Sequence, residues 1–114
     1  MPSDRDSQLL KGVLPMLVLA LLTEAESYGY ELVTRLQAAG LADIGPGTVY
    51  PVLNRLEREG AVASRLVASA TGPARKYYRP TTRGTAELAA AGAAWDRLAA
   101  TVAAVLDPAD KEQS

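Results

Sequence analysis

The chain has 114 residues, the size of a single domain, and contains neither Cys nor His. Disulfides are therefore excluded, as are metal sites built on thiolate or imidazole ligands and nucleophiles activated by a histidine. The net charge of −1 is unevenly distributed, because residues 45–84 carry seven basic and two acidic side chains, a local charge of +5. Such a basic segment suits a polyanionic partner, although a solvated surface that carries arginines is the alternative. We expect no enzyme activity, no cofactor and no metal site.

The first 23 residues are predicted to contain one helix. Residues 1–8 are polar, and the apolar stretch 13–22 is too short to span a bilayer and lacks a signal-peptide cleavage site. We therefore expect a cytoplasmic protein with no membrane contact, and a largely buried helix over 7–23. Pro15 should kink this helix or mark where its regular part begins.

Two further helices are predicted in the next 40 residues. One spans about 28–40, with Ser27 as its cap and Gly40 as its end. The other begins near Pro46 or Thr48 and ends at Gly60. Its apolar residues share one side, and the opposite side is smooth near the N-terminus. That opposite side comprises Gly47, Pro51, Asn54 and Arg58, flanked by Tyr50 and Arg55.

The second half of the chain predicts a hairpin followed by a long helix. Residues 61–69 and 75–80 form the two strands, joined by a Gly-Pro loop at 70–74. Thr81 or Thr82 caps a helix over about 82–106. Small and apolar residues recur along it at steps of four and three, the period of a helix–helix seam. We expect a dimer interface formed by Leu88, Gly92, Trp95, Val102 and Leu106.

This order of elements predicts an α+β, mostly helical chain. Three helices followed by a basic hairpin describe a winged helix-turn-helix, here over residues 1–80. A long C-terminal dimerisation helix would occupy 81–107, and a polar tail 108–114.

Three segments in this order resemble the PadR family of bacterial transcriptional regulators, in its compact form with one C-terminal dimerisation helix. They are YGYEL at 28–32, GPGTVYPVLNRLEREG at 45–60 and RKYYRPTTRG at 75–84. The resemblance implies a homodimeric repressor that binds a pseudo-palindromic operator in double-stranded DNA. It also implies release by a small, planar aromatic effector at the dimer centre. The alternative is a winged-helix module that mainly binds a ligand or a protein, with DNA binding secondary.

The resemblance assigns residues 45–60 as the recognition helix and the RKYY segment as the wing. It implies DNA contacts from Thr48, Tyr50, Asn54, Arg55, Arg58, Arg75, Lys76 and Tyr78. Tyr77 and Tyr78 must point to opposite faces of their strand, and we expect Tyr77 to pack inward. Two alternatives stay open: Tyr50 packs between helices, and Arg55 and Arg58 only pair with Glu59 or Glu57.

Trp95, the single tryptophan, has two interpretations. It either anchors the helix–helix interface or forms one wall of an effector site, as the resemblance to PadR-like dimers implies. In the second case the effector site at the dimer centre comprises Leu14, Leu17, Val18, Ala91, Trp95, Asp96 and Ala99.

Overall fold

The computed structural model describes residues 4–107, with side chains described over 7–107. The predicted tail at 108–114 lies outside the described residues. The helices and strands, in chain order, are α1 (Asp4–Glu24), β1 (Ser27–Tyr28), α2 (Gly29–Ala38), α3 (Pro46–Arg58), β2 (Val62–Ser69), β3 (Gly72–Pro80) and α4 (Thr82–Leu106). This order confirms the predicted α+β, mostly helical fold class.

Helix α1 is the central helix of the core. It is longer than the predicted 7–23, and Pro15 lies inside one continuous helix. Leu14, Val18, Leu19 and Leu22 of α1 are almost completely buried against apolar side chains of α2, α3 and the base of the hairpin. The spacing of three and four residues brings these four side chains to one face of the helix.

Ser27 does not cap α2, so that prediction is wrong. It is buried in β1, where its hydroxyl accepts a hydrogen bond from Arg35 Nη1 at 2.7 Å. The same guanidinium donates to the carbonyl oxygens of Leu21 at 2.6 Å and Ala25 at 2.9 Å. Arg35 thereby satisfies carbonyl groups at the end of α1 and joins α1, β1 and α2.

The sheet has three antiparallel strands in the order β1-β3-β2. The predicted hairpin is present, but β3 already begins at Gly72, so the connecting loop is shorter than the predicted 70–74. The two-residue strand β1 was not predicted. It pairs Ser27 with Tyr78 and Tyr28 with Tyr77, at the base of the hairpin. The distal part of the hairpin extends beyond the core, and Leu66 there is 73% exposed.

Glycines act at two kinds of position in this fold. Gly40 and Gly60 follow α2 and α3 with φ values of 130° and 80°, a region that favours glycine at helix ends. Gly84, in the first turn of α4, is buried because its Cα lies against the backbone of Ala61. A Cβ at Gly84 would overlap the Ala61 carbonyl oxygen. Thr81 caps α4 by accepting a hydrogen bond from the Gly84 N–H at 3.1 Å.

Helix α4 packs on α1 near its start and then leaves the core. Leu88 is packed against the core, whereas the later apolar side chains are 45–76% exposed. These are Trp95, Leu98, Val102, Val105 and Leu106. The molecule measures 62 × 34 × 21 Å, and its radius of gyration of 16.8 Å exceeds the roughly 13 Å of a compact chain of about this length.

Two segments, Ser7–Glu24 and α4, are long and apolar enough to cross a membrane. Length and composition are weak evidence, because the core helix of a globular protein has the same properties. Helix α1 supplies four core side chains and is such a helix. The apolar surface of α4 is instead left uncovered by the described part of the chain.

Candidate nucleic-acid interface

Helix α3 has one buried and one exposed face. Val49, Leu53 and Leu56 are buried in the core, at the spacing of one helix side. Eight residues lie on the exposed part of the helix: Pro46, Gly47, Thr48, Tyr50, Pro51, Asn54, Arg55 and Arg58. The predicted smooth outer face is therefore present, with an amide and two guanidiniums toward its C-terminal end.

The N-terminal end of α3 carries little side-chain bulk. Pro46 occupies the first position of the helix, where its missing N–H has no intrahelical partner to lose. Space around Gly47 is open, and Pro51 is exposed. A surface of this shape allows another molecule to approach the helix backbone closely.

Tyr50 lies at the edge of this face and contacts α2. A Cβ at Gly29 would overlap the Tyr50 ring, so the ring lies directly on the first residue of α2. The side chain is nevertheless 38% exposed. Tyr50 therefore has a packing contact and a surface edge together, and its role in DNA binding stays a prediction.

The two adjacent tyrosines of β3 point in the directions opposite to those predicted. Tyr78 is 4% exposed and belongs to the core, whereas Tyr77 is partly exposed. Tyr78 pairs with the buried Ser27 of β1, so its side of the sheet faces the core. Burial raises the pKa of the Tyr78 hydroxyl. Tyr78 is thus a core residue with little surface for a DNA contact, and nothing in the spacing of the two neighbouring tyrosines distinguishes their directions.

Ion pairs reduce the positive charge that the sequence indicated for this region. Four of the seven basic side chains between 45 and 84 have a carboxylate within 4.0 Å. The pairs are Arg55–Glu59, Arg65–Glu26, Lys76–Glu57 and Arg83–Glu87. Glu26 and Glu87 lie outside the segment, which is why a count over 45–84 missed them. The other three of the seven basic side chains are Arg58, Arg75 and Arg79. They have no carboxylate within 4.0 Å among the side chains described over 7–107.

Glu57 connects the exposed helix to the hairpin. Its carboxylate accepts hydrogen bonds from Lys76 Nζ at 2.7 Å and from the Ser64 hydroxyl. The hydrogen bond from Lys76 is the larger cause, and that from Ser64 the next, of a lowered pKa of Glu57. The Glu57 carboxylate in turn raises the pKa of Lys76. Lys76 thus braces β3 against α3, so part of its charge is already compensated.

A small cleft of about 280 Å³ separates α3 from the hairpin. Tyr50 contributes from α3, and Ala74, Arg75 and Lys76 from β3. Tyr28 and Gly29, at the junction of β1 and α2, also line it, together with Tyr78. The cleft thus combines basic groups with tyrosine rings.

A larger open groove of about 960 Å³ lies on the other side of α3. It is lined by the first half of α1, residues 40–44, part of α3 and Trp95. Of the predicted effector-site residues, Leu14 and Trp95 line it. Leu17, Ala91, Asp96 and Ala99 do not, and Val18 is completely buried in the core, so its predicted position at an open site is wrong.

Four exposed residues of α3 belong both to its outer face and to the lining of the groove. They are Gly47, Thr48, Pro51 and Arg55. The effector site expected between α1 and α4 at the dimer centre did not include residues of α3 or of the loop 40–44, because only tertiary packing brings these close to α1. Within residues 4–107, no cluster of three or more acidic side chains is placed to hold a metal ion.

A helix presented at the surface by a preceding helix, and flanked by a two-stranded wing, defines a winged helix-turn-helix protein. The profile of the PadR-like family of transcriptional regulators matches residues 18–90. The chain belongs to this family, and regulators of the family bind DNA.

Solved structures and a protein sequence show the same relationship. A PadR-like transcriptional regulator from Bacillus cereus is 38% identical with a TM-score of 0.79, over 88% of this chain and 97% of that one. A PadR family regulator from Eggerthella lenta is 38% identical with a TM-score of 0.80, over 88% and 87%. An uncharacterized protein of Lysinibacillus sphaericus is 32% identical over 84 residues, which are 72% of this chain and 77% of that protein.

Proposed function

We propose that this regulator is a cytoplasmic homodimeric repressor that binds a pseudo-palindromic operator through α3 and the wing. The observation that carries the proposal is the exposed face of α3, which lies beside the wing and presents Asn54 and Arg58 behind a smooth N-terminal end. A major groove about 12 Å wide admits such a helix. Thr48, Tyr50, Asn54, Arg55, Arg58 and Arg75 form the proposed contact set, with Lys76 at its margin.

The proposed dimer is supported by the uncovered apolar surface of α4. Trp95, Leu98 and Val102 lie on the part of the helix that extends beyond the core, and all three are about half exposed. An exposed apolar surface of this kind marks an interaction site. We propose residues 1–80 as the DNA-binding unit and 81–107 as the dimerisation helix, with Leu88 joining the two because it packs on the protomer's own core.

An effector in the groove would act through α3. Thr48 and Arg55 line both the groove and the proposed DNA face, so a ligand bound there would touch the recognition helix directly. Trp95 and the apolar side chains of α1 favour a planar aromatic compound. Such a ligand releases DNA only if it binds the DNA-free arrangement more tightly than the bound one.

A gel shift against DNA from upstream of the protein's own gene tests the proposal, at two salt concentrations and with competitor DNA. We expect a specific shift that weakens strongly as salt rises, since phosphate contacts release counterions. Arg58→Ala should weaken the shift, whereas the control Arg97→Ala, on an exposed position of α4, should not. If both variants bind as the wild type does, α3 is not the DNA-binding face.

The second candidate is a module whose main activity is ligand binding, and the open groove beside Trp95 favours it. Titration with planar aromatic compounds, followed by Trp95 fluorescence, tests this candidate. Saturable quenching in a protein that gives no specific DNA shift would support it. An unchanged signal would leave Trp95 as a packing residue of the dimer.

A further inference from the structure

One basic side chain at the cleft between α3 and the wing is held by an aromatic ring instead of a carboxylate. The guanidinium carbon of Arg75 lies 4.4 Å from the centroid of the Tyr28 ring, a cation–π contact. Lys76, the next residue, is paired with Glu57, and Arg65 across the hairpin is paired with Glu26. A phosphate would have to compete with those carboxylates, but not at Arg75.

The ring of Tyr28 is itself fixed. Its backbone pairs with Tyr77 in the sheet, and the two rings meet edge to face with centroids 5.3 Å apart. The next residue, Gly29, begins α2 beneath the Tyr50 ring. The Tyr28–Gly29 junction therefore contacts a side chain of the wing and a side chain of the recognition helix.

A guanidinium above a ring keeps its hydrogen-bond donors. The five N–H bonds of the group fan out around the guanidinium carbon, so a ring on one side of that carbon leaves donors on the other sides free for an acceptor. A long arginine side chain normally loses rotamer freedom when it binds. Contact with Tyr28 removes part of that freedom before DNA arrives.

We infer that Tyr28 is a positioning residue for DNA binding, whose ring holds Arg75 so that its N–H edge meets one DNA phosphate at the cleft. The inference rests on the proposed function, since it concerns the same protein–DNA surface. Tyr28 acts here through Arg75 and not by contacting DNA with its own hydroxyl group.

The test measures binding of the full-length protein to a fluorescent mixed-sequence duplex of about 20 base pairs at several low salt concentrations. A mixed sequence suffices because phosphate contacts do not depend on base sequence. The variants are Tyr28→Phe, Tyr28→Leu, Arg75→Ala and the double variant Tyr28→Leu/Arg75→Ala. Circular dichroism establishes that each is folded.

We expect Tyr28→Leu to weaken binding about two- to fivefold, the range of an exposed cation–π contact. Tyr28→Phe, which keeps the ring, should bind as the wild type does. Arg75→Ala should lower the slope of log affinity against log salt by about 0.9, the value for one phosphate contact on duplex DNA. In the Arg75→Ala background, Tyr28→Leu should have no further effect.

Three outcomes would overturn the inference alone. The first is an equal loss from Tyr28→Leu with and without Arg75, and the second is a loss in Tyr28→Phe as large as in Tyr28→Leu. The third is a Tyr28→Leu variant that binds the duplex as tightly as the wild type does. A wild-type protein that does not bind the duplex even at low salt would overturn the proposed function, and the inference with it.

Discussion

Replacing Gly84 with alanine tests how closely the start of α4 packs against the backbone of Ala61. The new Cβ would overlap the carbonyl oxygen of Ala61 and lie 3.3 Å from Leu19 Cδ2. A backbone carbonyl cannot rotate away, so α4 or the segment around Ala61 must shift. That shift also threatens the hydrogen bond from the Thr81 N–H to the same oxygen, 3.0 Å long.

The expected cost follows from three contributions. Overpacking at a site without free space costs about 3 kcal/mol, at the upper end of its usual range. A weakened backbone hydrogen bond adds about 1 kcal/mol. The higher helix propensity of alanine offsets about 1 kcal/mol of this loss in stability. We expect Gly84→Ala to destabilise the fold by about 3 kcal/mol, which for a domain of this size lowers Tm by roughly 12 °C.

Thermal unfolding followed by circular dichroism measures this effect, at one fixed protein concentration because association would shift Tm. The matched control is Gly12→Ala, inside α1, where a Cβ would meet nothing within 4 Å. The control should gain up to about 1 kcal/mol from helix propensity. If Gly84→Ala melts at or above the wild-type temperature, the close seating of α4 on Ala61 is refuted.

Three further predictions concern Tyr50 of the proposed recognition helix, the Glu57–Lys76 ion pair and the proposed dimer interface. Gly29→Ala should displace the Tyr50 ring from α2 toward solvent. We expect binding to duplex DNA to weaken severalfold while Tm falls little. Unchanged binding would show that Tyr50 does not contact DNA. Glu57 has a lowered pKa, so its stabilising effect is present above the ordinary value of 4.5 and is lost as the pH falls through the folded-state pKa. Urea titrations at several pH values give the free energy of unfolding, which below about pH 4.5 should fall less steeply with pH in Glu57→Gln than in the wild type. An identical pH dependence in the two proteins would contradict the assigned cause. Val102→Glu should convert the dimer to a monomer in analytical ultracentrifugation, because it places a charge in the proposed apolar interface; a variant that still sediments as a dimer would remove Val102 from that interface.

The helices were predictable because each has a strong local signal. Apolar spacing, Gly40, Gly60 and the Thr81 cap locate α1 to α4 within a few residues of their observed bounds. Strand β1 was missed because two residues have no periodicity, and its pairing partner is about 50 positions away in the chain. Ser27 illustrates the same limit, since it has the chemistry of a helix cap but is used as an acceptor for Arg35.

The candidate site was predictable on α3 and less so on the wing. One helix face can be derived from residue spacing, and the exposed positions of α3 agree with it. The orientation of Tyr77 and Tyr78 depends on register with β1, which the sequence does not show. The pairing of Arg65 with Glu26 joins residues 39 positions apart, so charge counted along a segment overstated the charge at the surface.

Because Gly84 lies directly against the backbone of Ala61, we expect the start of α4 and the proposed DNA-binding unit to tilt together. With the proposed dimer centre at Trp95, 11 residues of α4, about 16 Å of helix, separate that centre from Gly84, so a tilt of about 10° displaces Gly84 by roughly 3 Å. That distance is close to the spacing of about 3.4 Å between neighbouring nucleotides of a strand. In the proposed dimer, a tilt of about 10° at the centre would therefore shift each DNA-binding unit by a distance comparable to one base step.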